Sequence, residues 1–452
     1  MNRYRKSTSM VALIALVVAL GTSVASANSS PLPGVDPNLW IRIDPNGPWR
    51  FPNDWQDHYA EEIYRKDGAE VVPWTKETAL PSPDNAALQY YQAFLLRWQP
   101  DDATFPAINN VLTGGEPDGK VRAYLGDCRA MIHTVEVASR IPQCTWGVRY
   151  FDRSGFSVTT LLGEIRQLAL VFALDARTLG ADGHYDAALA RCLTMRRLAR
   201  HTGDDTMLTY LVSRTIDDLA RRTMQYVLGL LPPDVDILEG LRGQLAVVPG
   251  TPTSFEKAVQ ADLELIVEFL RQDHNTLEWI RQQMDKTGDG QQKTQAVSLT
   301  DEEILAHARE TCLQSLNGIF QRMDSDMPYE QKYAQIDEGI RARTEQYSGD
   351  PAAKYLWLLV SGRMVERYNL FVRDAAGYNA LKTAVEVYLA RAQTGQLPQT
   401  LPAYTSKDPF SGQDFEYEIT EKGFLLRCRA QDLHEKRIWQ YEFNVAANPK
   451  NP

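Results

Sequence analysis

Between Asn85 and Tyr347, apolar side chains return every three to four residues, and proline or glycine cuts the runs. That rhythm buries one stripe of a helix and exposes the other, so it restricts this stretch to helix packed on helix. Helices are expected over 86–98, 119–140, 158–179, 184–201, 206–231, 253–285, 300–323 and 329–347. Pro142, Gly180 to Gly183, Gly203-Asp204-Asp205, Pro232-Pro233, Pro249-Gly250-Thr251-Pro252 and Pro328 separate them. Period-two alternation is almost absent here, and short loops between helices imply antiparallel neighbours.

The pattern changes toward the C-terminus. From Pro351 to Leu397 no proline interrupts the chain, and Leu381, Ala384, Val385, Tyr388, Leu389 and Ala392 share one helical face. Asp350-Pro351 is a capping carboxylate followed by proline at the first helical position, and Gly395 with Pro398 is a stop. One long helix is expected, bent at Gly362 and Gly377. Beyond it, Phe415, Tyr417 and Ile419 alternate with Glu416, Glu418 and Thr420, Glu421-Lys422-Gly423 turns the chain, and 424–429 and 437–445 read as two further strands. The fold class is therefore mainly α: an antiparallel helical-hairpin body, a long C-terminal helix and a small antiparallel β-cap of three strands.

Two stretches resemble known families. Lys407-Asp408-Pro409-Phe410-Ser411-Gly412-Gln413-Asp414-Phe415-Glu416-Tyr417, after a helix and a Gly-x-Leu-Pro exit and before Gly423-Phe424, resembles the globular half of the major pseudopilins of type II secretion systems. The resemblance implies a helix-plus-hairpin module. It does not carry the assembly function, because this N-terminus has no Gly-Phe-Thr-Leu-x-Glu-type processing site. The stretch 168–200, with Leu174, Gly180 and Gly183-His184-Tyr185-Asp186-Ala187-Ala188-Leu189, resembles the helix–helix junction of a tetratricopeptide repeat. No second copy follows at a spacing of about 34 residues, so it implies one hairpin and not a solenoid.

Residues 1–27 read as an export signal. Arg3, Arg5 and Lys6 precede the apolar run Met10 to Leu20, and Ala25-Ser26-Ala27 is a small-x-small cleavage site. Cleavage after Ala27 is expected, with a retained anchor as the alternative; the destination is the periplasm or the exterior. Losing those three basic residues takes the net charge from −10 to −13, which argues against nucleic acid or an anionic membrane surface as a partner. No later stretch is apolar enough for a stable membrane span. Residues 28–84 form a Pro/Trp-rich extended arm with Trp40, Trp49, Trp55 and Trp74. Its tryptophans either pin it to the helical body or stack on sugars. Residues 85–347 form the helical domain, and 348–452 the long helix with its pseudopilin-like cap. The spacing of the five cysteines argues for buried thiols over a disulfide framework, with one long-range pair left open.

Candidate chemistry is sparse. Asp285, Thr287 and Asp289, followed by Gly290, match the first half of a calcium loop, but Ala296 stands where the bidentate glutamate belongs; calcium is the one cofactor this suggests. Gly114 to Val121 approaches a phosphate loop without the Ser/Thr that holds Mg²⁺. Glu303, His307 and Glu310 share a helix face with no matching second helix. Arg196, Arg197, Arg200, Arg221 and Arg222, with Arg191, Arg214 and His201 nearby, form a basic cluster on an acidic chain. It suits an anionic ligand or an acidic partner, or else solvated helix faces paired with Asp217 and Asp218. No catalytic signature is present, so no catalytic residue is assigned. The expectation is an exported helical scaffold that binds another envelope protein; an exported hydrolase of envelope polymers or glycans is the alternative.

Overall fold

The computed structural model describes residues 85–147, 156–203, 206–247, 254–287, 299–403 and 405–445. The readings placed on 1–84, leader and tryptophan-rich arm alike, lie outside the described residues. By its internal contacts Leu80–Pro452 forms one compact unit.

The described helices are α1 (Ala86–Leu95), α2 (Phe105–Leu112), α3 (Gly119–Asp127), α4 (Arg129–Arg140), α5 (Phe156–Ala181), α6 (Tyr185–Thr202), α7 (Met207–Leu230), α8 (Val235–Val247), α9 (Phe255–Gln272), α10 (His274–Thr287), α11 (Asp301–Met323), α12 (Tyr329–Gln346), α13 (Pro351–Ser361) and α14 (Met364–Thr394). α5, α6 and α7 pack on one another as the centre of the unit. α1 lies on α4, and α4 on α6; on the other side α7 meets α9, and α9, α11 and α13 pack together. α7 also touches α14 and the sheet, so it lies at the junction of body and cap. Leu168, Phe172, Leu174, Cys192, Met195, Tyr210, Met224 and Trp357 are among its most buried side chains.

Three of the expected helices are broken, each for a local reason. The 119–140 run turns at Cys128, which lets Val121, Tyr124 and Leu125 before it and Met131, Ile132 and Val135 after it all reach the core. The 253–285 run breaks at Asp273, whose carboxylate accepts from the Thr276 amide at 3.4 Å and hydroxyl at 2.6 Å and so starts α10. The long C-terminal helix breaks at Gly362-Arg363, giving α13 and α14. Gly377 produces no break: a Cβ there would sit 3.0 Å from Arg221 Nε, so this glycine makes room for a neighbouring guanidinium. Both expected ends hold. Asp350 accepts from the Ala353 amide at 3.0 Å, and Gly395 closes α14 at φ 81°. Two helices went unread in the sequence, α2 with Pro106 in its first turn and α8 with Asp234 capping Ile237.

The sheet is antiparallel in the order β1 (Glu416–Thr420), β2 (Gly423–Arg427), β3 (Gln440–Asn444). One face carries Tyr417, Phe424, Leu426, Tyr441 and Phe443 and packs on α14, where the Tyr388 ring meets Phe424 at 5.4 Å. The Asp408-Pro409-Phe410 turn is held by its own carboxylate. Asp408 is fully buried and accepts from Phe410 N (2.9 Å), Ser411 Oγ (2.7 Å) and Arg429 N (2.9 Å), which fastens the turn to the end of β2. Asp432 does the same for the next loop through His434 N, Glu435 N and Trp439 Nε1. None of the five cysteines is in a disulfide. Cys128, Cys192, Cys312 and Cys428 are buried, and burial pushes each of the four up from the usual thiol range.

Replacing Asp408 with alanine leaves three donors without their acceptor in a dry turn. We expect Asp408→Ala to cost about 3 kcal/mol or more in chemical denaturation. Asp414→Ala, which removes only an exposed pair with Lys407, is expected to stay within about 0.5 kcal/mol.

Candidate functional site

The basic cluster does not form one surface. Arg196 on α6 is 2% exposed, with Nε 2.9 Å from Asp217 Oδ1 on α7 and its guanidinium 4.3 Å from the Tyr378 ring centre on α14. Burial opposes its charge, and Asp217 and Tyr378 override that and hold the charge in place. Arg214, one turn before Asp217, is equally buried and pairs with Asp374 on α14. Arg191 bridges Glu136 on α4 and Asp175 on α5. Arg221 and Arg222 share Asp218, Arg221 against the Tyr441 ring and Arg222 in solvent with 69% of its side chain exposed. Arg197 reaches Gln244 on α8 at 3.2 Å, and Arg200 is exposed. The spacing that looked like a solvated face is thus in large part internal wiring between helices. The pairings with Asp217 and Asp218 are present, but solvation is not the rule.

The other candidates are scattered. Asp285 is exposed in the last turn of α10, whose helical backbone continues to Thr287; Asp289 lies outside the described residues. Among the described residues, no group of three or more His, Cys, Asp or Glu is placed to hold a metal ion. In the 114–121 stretch, the Asp118 carboxylate accepts from the Lys120 and Val121 amides, both at 3.0 Å, so it occupies the donors a phosphate would need. Glu303 forms a capping box with Thr300, while His307 Nε2 lies 2.9 Å from Asp350 Oδ2.

The structure presents a different feature, on α1. Ala86, Tyr90 and Ala93 are buried, whereas Leu88, Tyr91 and Leu95 follow one another at i, i+3 and i+7 on the opposite side and are exposed. Leu95 is 76% exposed, and Leu96 and Trp98 in the following loop and Phe105 at the start of α2 are exposed as well. α1 is held firmly from behind. The Asn85 side chain accepts from Ala87 N and Thr145 N and donates to Thr145 O. The Tyr91 hydroxyl donates to Trp146 O at 2.9 Å. The Trp146 ring stacks on Tyr90 at 5.4 Å and Phe94 at 6.3 Å, and its Nε1 donates to His201 O at 2.6 Å. Tyr90 Oη and His201 Nδ1 are 2.9 Å apart. Burial, with Arg200 beside it, pushes the His201 imidazole down to about 4, so it is neutral at pH 7 and its Nδ1 can accept the Tyr90 proton. Burial also holds the Tyr90 phenol well above its usual range, so it stays a donor.

The apolar spacing over 86–98 predicts α1 but not its second face. The signal was available, because a helix with alanine and tyrosine on one side and leucine and tyrosine on the other buries only one of them in a two-layer stack. No protein-family model, curated protein or solved structure matches this chain. Among the described residues, no helix is long and apolar enough to cross a membrane.

Two outcomes follow from these contacts. Asp217→Asn leaves Arg196 charged in a dry interface and is expected to cost about 3–5 kcal/mol in denaturant unfolding, against under about 0.5 kcal/mol for Arg222→Ala. The second concerns pH. An unfolded imidazole binds a proton near pH 6.5, and folded His201 only near 4. Unfolding therefore takes up a proton between these values, so this contribution is complete above pH 6.5 and is lost as pH falls toward 4. It amounts to at most about 3 kcal/mol. Thermal melts from pH 7 to pH 4 should show a shallower fall for His201→Gln than for the parent; equal slopes would contradict the assignment.

Proposed function

We propose that the protein is an exported helical scaffold of the bacterial envelope that binds another protein through the outer face of α1. The observation that carries the reading is the pair of exposed leucines Leu88 and Leu95, with Tyr91 between them tied to Trp146 O and exposed Trp98 after them, on a helix that Asn85 and Tyr90 hold from behind. Exposed apolar side chains are ordinary singly, but a contiguous row on one helix is a contact surface. Tyrosine and tryptophan supply large contact area with few rotatable bonds, and a fixed helix orders nothing further on docking. The partner segment is apolar, and the exposed Asp101 and Asp102 that follow α1 in the chain favour basic flanks. The leader-like 1–27 stretch supports an envelope location.

A photo-reactive residue placed at Leu88 tests this in cells. A discrete cross-linked partner is expected from the envelope fraction, reduced at least tenfold by Leu95→Asp or Trp98→Ala with circular dichroism unchanged. N-terminal sequencing of the same material should begin at Asn28. An identical cross-link pattern for the parent and Leu95→Asp would refute the binding face, and recovery of Met1 from cytosol would refute the location.

A further inference from the structure

Among the described residues, the β-cap is closed along one edge and open along the other. β3 is covered: Gln225 of α7 donates to the Glu442 carbonyl, Tyr388 of α14 donates to the Asn444 carbonyl, and Arg221 lies 5.7 Å from the Tyr441 ring centre. Among the described residues β1 pairs only with β2, and four of its five residues are exposed. The hairpin decides which backbone groups face outward. Thr420 and Gly423 flank the two-residue turn Glu421-Lys422 and so form the closing hydrogen-bonded pair, followed along the ladder by Glu418–Leu425 and Glu416–Arg427. The N–H and C=O groups of Tyr417 and Ile419 therefore point away from the sheet, and no described residue bonds to them.

The two sides of this edge differ in chemistry. Tyr417 and Ile419 continue the apolar layer of Phe424 and Phe443, and the layer stops with Ile419 still 42% exposed. On the opposite side Glu416 and Glu418 face Arg427 at 3.8 and 3.9 Å, longer than hydrogen bonds, and 65% of the Glu418 side chain is exposed. Both carboxylates keep room for another donor. A second copy of this chain is a poor occupant, because two-fold antiparallel pairing of β1 centred on Tyr417 or Glu418 sets glutamate against glutamate.

We propose that the free edge of β1 accepts, as a fourth antiparallel strand, an extended segment of another protein in which apolar residues flank a lysine or arginine. Its backbone bonds to Tyr417 and Ile419. Its cation lies opposite Glu418, at a non-hydrogen-bonded pair where side chains approach most closely. Its apolar residues cover Ile419. This surface is independent of the α1 face, so each can fail without the other.

The test uses the full chain and two blocked, fluorescently labelled heptapeptides, one with a Val-Lys-Val centre and one with Val-Glu-Val. Saturable binding of the lysine peptide is expected, with the glutamate peptide at least tenfold weaker. Glu418→Lys should reverse that preference. Ile419→Pro removes an outward N–H and should abolish binding of both peptides; if it also unfolds the cap, methylating the peptide nitrogens that would bond to β1 makes the same test from the other side. No saturable binding to the parent, an unchanged preference in Glu418→Lys, or full binding of the N-methylated peptide would each overturn the proposal.

Discussion

Two guanidinium groups taken out of water set the register of this molecule. Arg196 answers to Asp217 and to the face of Tyr378, and Arg214 answers to Asp374. Three helices, α6, α7 and α14, thus share one buried charge arrangement. Such pairs add little net stability, since the loss of hydration offsets most of the attraction. What they impose is position. A shift of one turn along any of the three helices would strand a charge in low dielectric, at a cost of several kcal/mol. The apolar side chains around them would tolerate many sliding arrangements, because leucine and alanine faces are nearly interchangeable. The charges select one of them.

That constraint passes to the cap through α7 and α14. α14 carries Tyr378 against Arg196 and, ten residues on, Tyr388 against Phe424 and the end of β3. α7 carries Asp217 inward and Arg221 one turn later, where it fits beside Gly377 and over Tyr441. The same two helices therefore hold the ion pairs and seat the sheet, which is why body and cap form one unit although the chain pattern changes between them. Gly377 illustrates the coupling: its missing side chain serves a neighbour and not its own backbone.

Much of this was legible in the sequence, and the rest was hidden for definite reasons. Helix positions followed from apolar spacing, and the ends at Asp350 and Gly395 from capping chemistry. The three-stranded cap followed from alternation around Glu421-Lys422-Gly423. The breaks at Cys128 and Asp273 were missed because both helical halves keep the same rhythm across them; only the Asp273–Thr276 cap gave a local sign. The arginines were misjudged for a deeper reason. Charge at helical spacing reads as a wet face, and only the partner helices, 21 residues away for Asp217 and 160 for Asp374, turn it into an interior. Asp408 carried the opposite lesson: its Asp-Pro-Phe turn was visible as a motif, while its work as a buried acceptor for Arg429 needed the fold.

The surfaces left over are intelligible by the same bookkeeping. A helix at the boundary of a stack has one neighbour too few, and most chains answer by making its outer side polar. α1 instead places Leu88 and Leu95 there, with Tyr91 between them tied by its hydroxyl to Trp146 O, while polar bonds from Asn85 and Tyr90 fasten its rear to the 141–147 segment and His201. Holding a helix by directed hydrogen bonds frees its second apolar side from any duty to the core. The position of the stripe is then fixed before anything touches it, so contact with a partner costs little ordering entropy. Leu88 and Leu95 stand exposed on a helix that these bonds hold in place, so an apolar partner would meet them where they already are.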